Sequence, residues 1–286
     1  MSMTIHPSAS NFGAEIFGLD LREPIDSARY ELLEDALSAH GVICFRDQAV
    51  TDADQEALVR WFGPPNVATS ELSNASNTNP YFYDVGNVDE NGEIMAREHK
   101  RRLYLQANLF WHSDMSMRQP PARVTTLSAR VLPDDPPNTE FADLRTAWSA
   151  LSPARQAELE GLMIEHSVYA SRARVGYTEF SEETRKRLPP VAHPLVRVHK
   201  RSGRKTFYMG AHASHVIGWP PEQGKALLEE LVEFATQPRF RYVHRWRAGD
   251  VLVWDNSCTL HRSTEFDDQK YRRELRWCSC RELEPV

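Results

Sequence analysis

The sequence lacks the features that define several protein classes. No apolar run approaches the roughly 18 residues that a membrane-spanning helix requires, and no Lys or Arg precedes Arg22, so the basic segment of a secretory signal is missing. The four cysteines are too few and too scattered for a disulfide framework or a four-thiolate zinc site: Cys44, Cys258, Cys278 and Cys280. We therefore expect a reduced, cytoplasmic protein, not a membrane protein or a disulfide scaffold.

A strong excess of charge of one sign is also lacking. The 286 residues include 34 Lys+Arg and 40 Asp+Glu, which gives a net charge of −6. So small an acidic excess provides no field for holding nucleic acid or an anionic membrane. Hydrophobic residues make up 41% and charged residues 26%, as in ordinary globular proteins. Because no repeat and no Gly/Ser-rich linker divides the chain, we predict that residues 1–286 form a single domain.

Helical and strand patterns are both present. Apolar residues at helical spacing, with helix-start or helix-stop signals, predict four helices: 29–40, 51–62, one that starts at 152–153, and 221–235. Strand patterns cover 42–45, 240–246 and 251–254, and 193–209 alternates around a turn at 202–203 as in a hairpin. Short strands joined by turns, with helices outside them, predict an α+β domain around a β-sandwich or open barrel.

Residues 66–102 form a long polar segment that has no sustained period. A loop of this length inside a compact domain is more often functional than a mere connection. We predict that it closes over a substrate as an active-site lid and sets specificity.

His112 and Asp114 stand two positions apart, and they form the only His-x-acid pair among the 11 histidines. Residues i and i+2 of a strand face the same side, so the two side chains could bind one metal ion. A strand-end histidine beside a solvated aspartate would have the same spacing. The apolar neighbours of the pair, and a second histidine, His261, after the buried strand 251–254, favour the metal site.

Two histidines and one carboxylate leave three open positions on an iron, as in non-haem Fe(II) oxygenases. A 2-oxo acid can fill two of these positions and dioxygen the third. The far carboxylate of 2-oxoglutarate then requires a bidentate cation, which arginine supplies. Arg272 and Arg276 alternate with Leu275 and Trp277 in a predicted strand, so we expect both guanidinium groups to point into the barrel.

Several motifs together carry a resemblance that covers almost the whole chain, from 18–22 to Arg276. They are Trp111-His112-Ser113-Asp114, Thr139-Glu140-Phe141, the segment 210–215, Val253-Trp254-Asp255-Asn256 and the segment 272–276. The sequence resembles the Fe(II)/2-oxoglutarate-dependent taurine and 2,4-dichlorophenoxyacetate dioxygenase family (TauD/TfdA-like), and most closely its phenoxyacetate branch.

The resemblance implies a double-stranded β-helix, a jelly-roll core with flanking helices. It implies that Fe(II) is bound by His112, Asp114 and His261, and that the distal carboxylate of 2-oxoglutarate is bound by Thr139 and Arg272. It implies a substrate site formed by Arg276, which meets the anionic group, and by Asn108, Met115, His212 and His215. For His212 and His215 a core role remains equally open.

Two segments depart from the family pattern. Before Thr139 the family commonly has Gly-Gly-Asp, whereas this chain has Pro136-Pro137-Asn138, which should reshape the turn that presents the threonine. Residues 66–103 have no evident counterpart of the lysines proposed to meet the herbicide carboxylate, and Glu93 lies near where one would fall. The resemblance therefore leaves the identity of the small anionic substrate open.

The activity that the resemblance implies is hydroxylation of a C–H bond with O2, while 2-oxoglutarate is converted to succinate and CO2. An aryloxyacetate or aryloxyalkanoate would be cleaved to a phenol and a 2-oxo acid. The alternatives are a sulfonate such as taurine or another small carboxylate, and outside the family a zinc hydrolase or a non-catalytic jelly-roll binding protein. The resemblance also implies a homo-oligomer.

Overall fold

The computed structural model describes residues 3–68 and 79–283, and in that part of the chain helices are combined with four β-sheets. The strands are β1 (Thr4–Pro7), β2 (Ala14–Phe17), β3 (Val42–Phe45), β4 (Phe82–Gly86), β5 (Ala122–Val131), β6 (Thr139–Asp143), β7 (Met163–His166), β8 (Val191–Pro194), β9 (Val196–Val198), β10 (Lys205–Phe207), β11 (Ala213–Val216), β12 (Arg241–His244), β13 (Val251–Asp255), β14 (Thr259–Ser263) and β15 (Glu274–Arg281). The helices are α1 (Ser27–His40), α2 (Asp52–Phe62), α3 (Lys100–Leu105), α4 (Leu144–Ser149), α5 (Pro153–Leu159), α6 (Val168–Ala173), α7 (Glu182–Arg187) and α8 (Pro221–Ala235). None of these helices has the length and apolar character needed to cross a bilayer.

The largest sheet has seven strands in the order β1-β2-β3-β13-β5-β15-β4. Its neighbouring strands are antiparallel except β2 and β3. Every residue of β3 and of β13 is buried, which explains why these strands are continuous apolar runs. A three-stranded sheet, β12-β6-β14, packs against it: Phe141 of β6 stacks edge-on against Trp254 of β13, with the ring centroids 5.5 Å apart. The two sheets enclose the site described below.

Helices α1 and α2 cover the other face of the large sheet and begin and end at residues with clear capping roles. Asp26 accepts a hydrogen bond from the backbone N–H of Arg29 at the start of α1, and Gly41 ends the helix with φ of 70°, where glycine avoids the Cβ penalty. Thr51 and Asp54 form a reciprocal capping box on α2. The caps at the end of α1 and at the start of α2 therefore define the two ends of the segment that contains β3.

The remaining sheets, β11-β7-β8 and β10-β9, form a second layer with α4 and α8. The buried face of α8 carries Leu227, Leu228 and Leu231, which share one apolar cluster with Ile164 and Leu260. Through Leu260 this cluster reaches β14, so the second layer supports the strand that carries His261.

The structure confirms the predicted helices at 29–40, 51–62, 153 onward and 221–235, and the predicted hairpin and strands of the second half. The α+β class is confirmed, although the sheets of the described residues remain open and do not close into one barrel. The prediction of one irregular loop over 66–102 is wrong for its second part, because β4 pairs with the edge of the large sheet and α3 begins at Lys100. Part of that prediction falls on 69–78, which lie outside the described residues.

Candidate active site

His112 and His261 are held side by side by the backbone. His112 lies outside the named strands and forms an isolated antiparallel bridge with His261 of β14: each N–H donates to the other's carbonyl, at 3.0 and 2.9 Å. The two imidazole centroids are 4.1 Å apart. Asp114 follows in a tight turn in which Met115 adopts φ of 48°, an uncommon conformation for a non-glycine residue and one often found at functional sites.

The side chains of His112, Asp114 and His261 converge on one point. Oδ1 of Asp114 is 3.7 Å from Nε2 of His112 and 3.6 Å from Nε2 of His261. One ligand atom from each of the three residues lies within 4.8 Å of the others, and this arrangement can hold a metal ion. Both histidines are buried, so a bound ion would be largely removed from bulk water.

His112 is oriented by its main chain. Its Nδ1 lies 2.8 Å from the carbonyl oxygen of Phe110, so Nδ1 carries the proton and Nε2 presents its lone pair to the centre of the triad. Burial, followed by the proximity of His261, lowers the pKa of His112 to about 3. The imidazole is therefore neutral at physiological pH, as a metal ligand must be.

Asp114 is fixed by a hydrogen-bond network. Its Oδ2 accepts from Thr125 Oγ1 at 2.8 Å and from Trp277 Nε1 at 3.0 Å, and Thr125 Oγ1 in turn accepts from Asn256 Nδ2 at 2.8 Å. Burial opposes ionisation of the carboxyl, but the adjacent imidazoles of His261 and His112 and the hydrogen bond from Trp277 hold its pKa below the usual range. The network therefore leaves Oδ1 directed at the two histidines.

A cavity continues from the triad toward Thr139 and Arg273. Thr139 is buried, and its Oγ1 accepts a hydrogen bond from Trp246 Nε1 at 2.9 Å. Arg273 is only 4% exposed, and its Nε has no hydrogen-bond partner among the described residues. Burial lowers the pKa of Arg273 to about 10, since a cation without a counter-charge is costly in the interior. The cavity thus contains a guanidinium that is suited to an anionic ligand.

The structure does not bring Arg272 to this cavity. Its side chain is 51% exposed and pairs with Glu93 on the surface at 3.2 Å. The predicted alternation is present, but the face is the opposite one: Arg273, Leu275 and Trp277 are buried on one face, whereas Arg272 and Arg276 point to the other. Leu275 and Trp277 are apolar, and this indicates that the odd-numbered residues of this segment point inward.

Arg276 also lies outside the cavity, contrary to the prediction that it points inward. Its guanidinium forms ion pairs with Asp52 of α2 and Asp84 of β4, at 2.6 Å each. The next residue, Trp277, lies on the inner face where an arginine was expected, and its Nε1 donates to Asp114. Trp277 thus has a polar contact with the triad.

A second cavity beside the triad contains Asn108, Met115 and His212, three of the residues predicted for a substrate site. Burial, and then the positive charge of Arg172, lowers the pKa of His212 well below its ordinary value. His215 is elsewhere: its side chain is 31% exposed, beside Ser214 and Glu165 of the β7–β11 pair. The further lining residues, which sequence reasoning did not single out, are Tyr83, Tyr104, Leu105, Met117 and Arg172.

Two imidazoles and one carboxylate around one point, in a buried cavity that also holds a lone guanidinium, form the ligand set of the non-haem Fe(II) enzymes that use a 2-oxo acid. The site and the α+β fold thus define the class of 2-oxoglutarate-dependent non-haem iron dioxygenases. The family described as "Taurine catabolism dioxygenase TauD, TfdA family" matches residues 4–279. The chain belongs to this family.

Individual relatives agree with this assignment. The chain is 42% identical, over 96% of its length and 96% of the relative's, to the alpha-ketoglutarate-dependent 2,4-dichlorophenoxyacetate dioxygenase of Cupriavidus pinatubonensis. It is 32% identical, over 92% of its length and 90% of the relative's, to the (S)-phenoxypropionate/alpha-ketoglutarate-dioxygenase of Sphingobium herbicidovorans. The crystal structure of AAD-2 in complex with Mn(II) and N-oxalylglycine superposes with a TM-score of 0.91 at 35% identity, and the match covers 100% of this chain and 98% of that one.

Proposed function

We propose that the protein oxidises an aryloxyacetate or a related aryloxyalkanoate at the carbon next to the ether oxygen. The observation that carries this proposal is the second cavity, which borders His112 and Asp114 and is lined by Tyr83, Tyr104 and Trp277. Aromatic walls with a few polar groups suit a ligand that has an aromatic ring and one anionic end. The names of the two relatives above, which act on phenoxy acids, support the same substrate class.

His112, Asp114 and His261 are the proposed ligands of Fe(II). Their donor set fits that ion: two imidazoles and a carboxylate whose second oxygen is already hydrogen-bonded by Thr125 and Trp277. When bound there, Fe(II) supplies the oxidising chemistry, in which O2 and 2-oxoglutarate are consumed together. The chain's own part is to hold the three ligand atoms toward one point and to keep the two histidines out of bulk water.

The proposed site for 2-oxoglutarate is the cavity between the triad and Arg273. The planar guanidinium of Arg273 can bind the distal carboxylate through two parallel hydrogen bonds, and it replaces Arg272 in this role. The hydroxyl of Thr139 already accepts from Trp246, so its own proton is available for the same carboxylate. A dianionic co-substrate would also compensate the buried positive charge.

The proposed reaction balances without a further reductant. One oxygen atom of O2 enters the succinate that forms from 2-oxoglutarate with loss of CO2, and the other becomes a hydroxyl on the substrate carbon. If that carbon bears an aryl ether oxygen, the product is a hemiacetal, which breaks its C–O bond to give a phenol and a 2-oxo acid. The protein's contribution is to present this C–H bond to the metal.

We further infer that the two packed sheets form an incompletely closed double-stranded β-helix, and that the segment around α3 acts as the roof of the site. Asn108 lines the two cavities beside the triad and also an outer cavity of about 280 Å³ that includes Arg102 and Asp268. A segment that lines all three cavities is well placed to control the entry of substrate. The sequence predicts this role for residues 66–102.

The proposal is tested by adding Fe(II) and 2-oxoglutarate anaerobically and recording the visible charge-transfer band of the chelate. We expect the band to form, to shift when phenoxyacetate is added, and to be followed in air by release of phenol and glyoxylate. His112→Ala should abolish the band, whereas His215→Ala, a substitution outside the cavity, should leave it. A band that responds to taurine and not to phenoxyacetate would replace the substrate class, and a folded protein without any band would overturn the co-substrate assignment.

A further inference from the structure

Arg172, on the short helix α6, carries a buried guanidinium that faces the aromatic cavity. It is 7% exposed, stacks over the ring of Tyr104 at 3.8 Å, and donates from Nη1 to Ser171 Oγ at 3.2 Å. Its Nε has no hydrogen-bond partner, and no carboxylate of the described ranges 3–68 and 79–283 forms an ion pair with it. Its charge is therefore uncompensated by the protein.

The other buried arginines show that this is unusual for the fold. Arg145 pairs with Asp143, Arg197 pairs with Glu282, and Arg101 donates to the backbone carbonyls of Val88 and Asp84 at 3.0 and 2.8 Å. Within the described part of the chain only Arg172 and Arg273, among the buried arginines, make neither kind of contact. A buried cation without a partner is strongly destabilising. The unpaired Arg172 therefore indicates that an anion from outside the protein binds there.

These two arginines line two different cavities, both of which border His112 and Asp114. Arg273 lines the cavity with Thr139 and His261, and Arg172 lines the cavity with His112, Asp114 and the aromatic residues. The reaction of the proposed class brings two acids to the same metal, the co-substrate and the primary substrate. Two unpaired guanidinium groups, one in each cavity, match that requirement.

We propose that Arg172 binds the carboxylate of the primary substrate, the role that the sequence resemblance had given to Arg276. This inference rests on the proposed aryloxyalkanoate substrate class. With its face against Tyr104, the guanidinium keeps its N–H edge for a bidentate contact with a planar carboxylate. The aryl ring then packs among the remaining aromatic and thioether side chains of the cavity, including Tyr83, Met117 and Trp277.

The experiment compares two ligands that differ only in charge. Phenoxyacetate and phenoxyacetamide are titrated calorimetrically into protein loaded with Mn(II) and N-oxalylglycine, so that no turnover occurs. The variants are Arg172→Met, which removes the charge and keeps a long side chain, Arg172→Lys, which keeps the charge, and Arg174→Met. Arg174 is the matched control, because it is exposed at the end of the same helix and packs over Phe110 instead.

We expect Arg172→Met to weaken phenoxyacetate binding at least roughly tenfold, the effect of losing a charged hydrogen-bond pair, and to leave phenoxyacetamide nearly unchanged. Arg172→Lys should recover part of the loss, and Arg174→Met should bind both ligands as the unmodified protein does. Unchanged N-oxalylglycine binding would show that the co-substrate cavity is intact.

Two results would overturn the assignment of Arg172 alone: equal phenoxyacetate affinity in Arg172→Met and the unmodified protein, or equal losses for the acid and the amide in both Arg172 variants. In the second case the residue would matter for shape and not for charge. Failure of the unmodified protein to bind any phenoxy acid, with N-oxalylglycine bound, would instead overturn the proposed substrate class and this inference with it.

Discussion

Thr125 is the residue through which the support of Asp114 can be tested. Its hydroxyl donates to Asp114 Oδ2 and accepts from Asn256 Nδ2, so Thr125→Val removes both contacts without changing the ligand set. We expect Mn(II) affinity, measured by competition with a chelator, to fall about 10- to 100-fold, as for other lost ligand supports. Thr126→Val is the control, since Thr126 hydrogen-bonds with Gln55 and Cys278 on the opposite face of β5. Equal losses in both variants would contradict the role given to Thr125.

Arg272 and Arg273 are adjacent arginines for which opposite results are expected. Arg273→Met removes the guanidinium that lines the proposed co-substrate cavity, and the apparent dissociation constant for 2-oxoglutarate should rise at least roughly tenfold. Arg272→Met removes a surface ion pair with Glu93, which contributes little, and should leave 2-oxoglutarate binding unchanged. Titration of the anaerobic charge-transfer band measures both. The reverse pattern would restore the original assignment.

Among the individual residues, the sequence identified three side chains that the structure brings together, the triad. It placed Arg272 and Arg276 on the wrong face of their strand. His112, Asp114 and His261 could be found because a short spacing and an apolar frame mark them. Arg272 followed from the family resemblance and the expected alternation, and a shift of one residue changes the face of a strand. Arg172 gave no signal at all, because only the tertiary packing of α6 brings it to a cavity formed by other segments.

Among the elements, β4 is the one that fixes the position of Arg273. Gly86 at the end of β4 pairs with Glu274, and a Cβ there would collide with the backbone oxygen of Arg273. Gly86→Ala should therefore displace Arg273, raise the 2-oxoglutarate requirement and lower the midpoint of thermal unfolding. Gly92→Ala is the control: its φ of 76° makes the substitution strained, but no atom lies within 4 Å of the new Cβ. It should lower stability and leave the 2-oxoglutarate requirement unchanged.

The elements that were predicted correctly are those defined by their own residues. Helices α1, α2 and α8 have apolar faces and start or stop signals within their own segments, and the β9–β10 hairpin has its turn at 202–203. Strand β4 was missed because its short run of Phe82, Tyr83 and Val85 lies in a polar, turn-rich segment, and the strand that it pairs with, β15, lies far along the chain. Long-range pairing of this kind leaves no local pattern.

For the whole molecule, buried histidines make stability depend on pH. Burial, followed by the neighbouring His193 and Arg197, lowers the pKa of His166 to about 3, whereas the unfolded chain has a value near 6.5. Between these values the unfolded state binds the proton and the folded state does not. The stabilising contribution is therefore present above pH of about 6.5 and is lost as the pH falls, by up to about 1.4 kcal/mol per pH unit for one group.

His166→Gln should flatten this dependence. The amide cannot titrate, and it can still contact Ser116, which lies 3.1 Å from Nδ1 of His166. Urea unfolding measured at several pH values between about 4 and 7 gives the slope of the free energy of unfolding in each protein. A slope that His166→Gln does not reduce would show that His166 binds its proton equally in the folded and unfolded states.

The single free oxygen of Asp114 decides which ions the molecule can accept. Calcium takes six to eight oxygen ligands and favours bidentate carboxylates, so a pocket that offers one carboxylate oxygen and two imidazole nitrogens rejects it. The same donors rank first-row divalent ions in the Irving–Williams order, in which cobalt, nickel, copper and zinc all bind more tightly than ferrous iron. The triad therefore excludes the abundant hard cations but cannot choose iron over its neighbours. In the proposed enzyme, the supply of metal ions would therefore decide which ion occupies the triad, and zinc or copper would compete with iron.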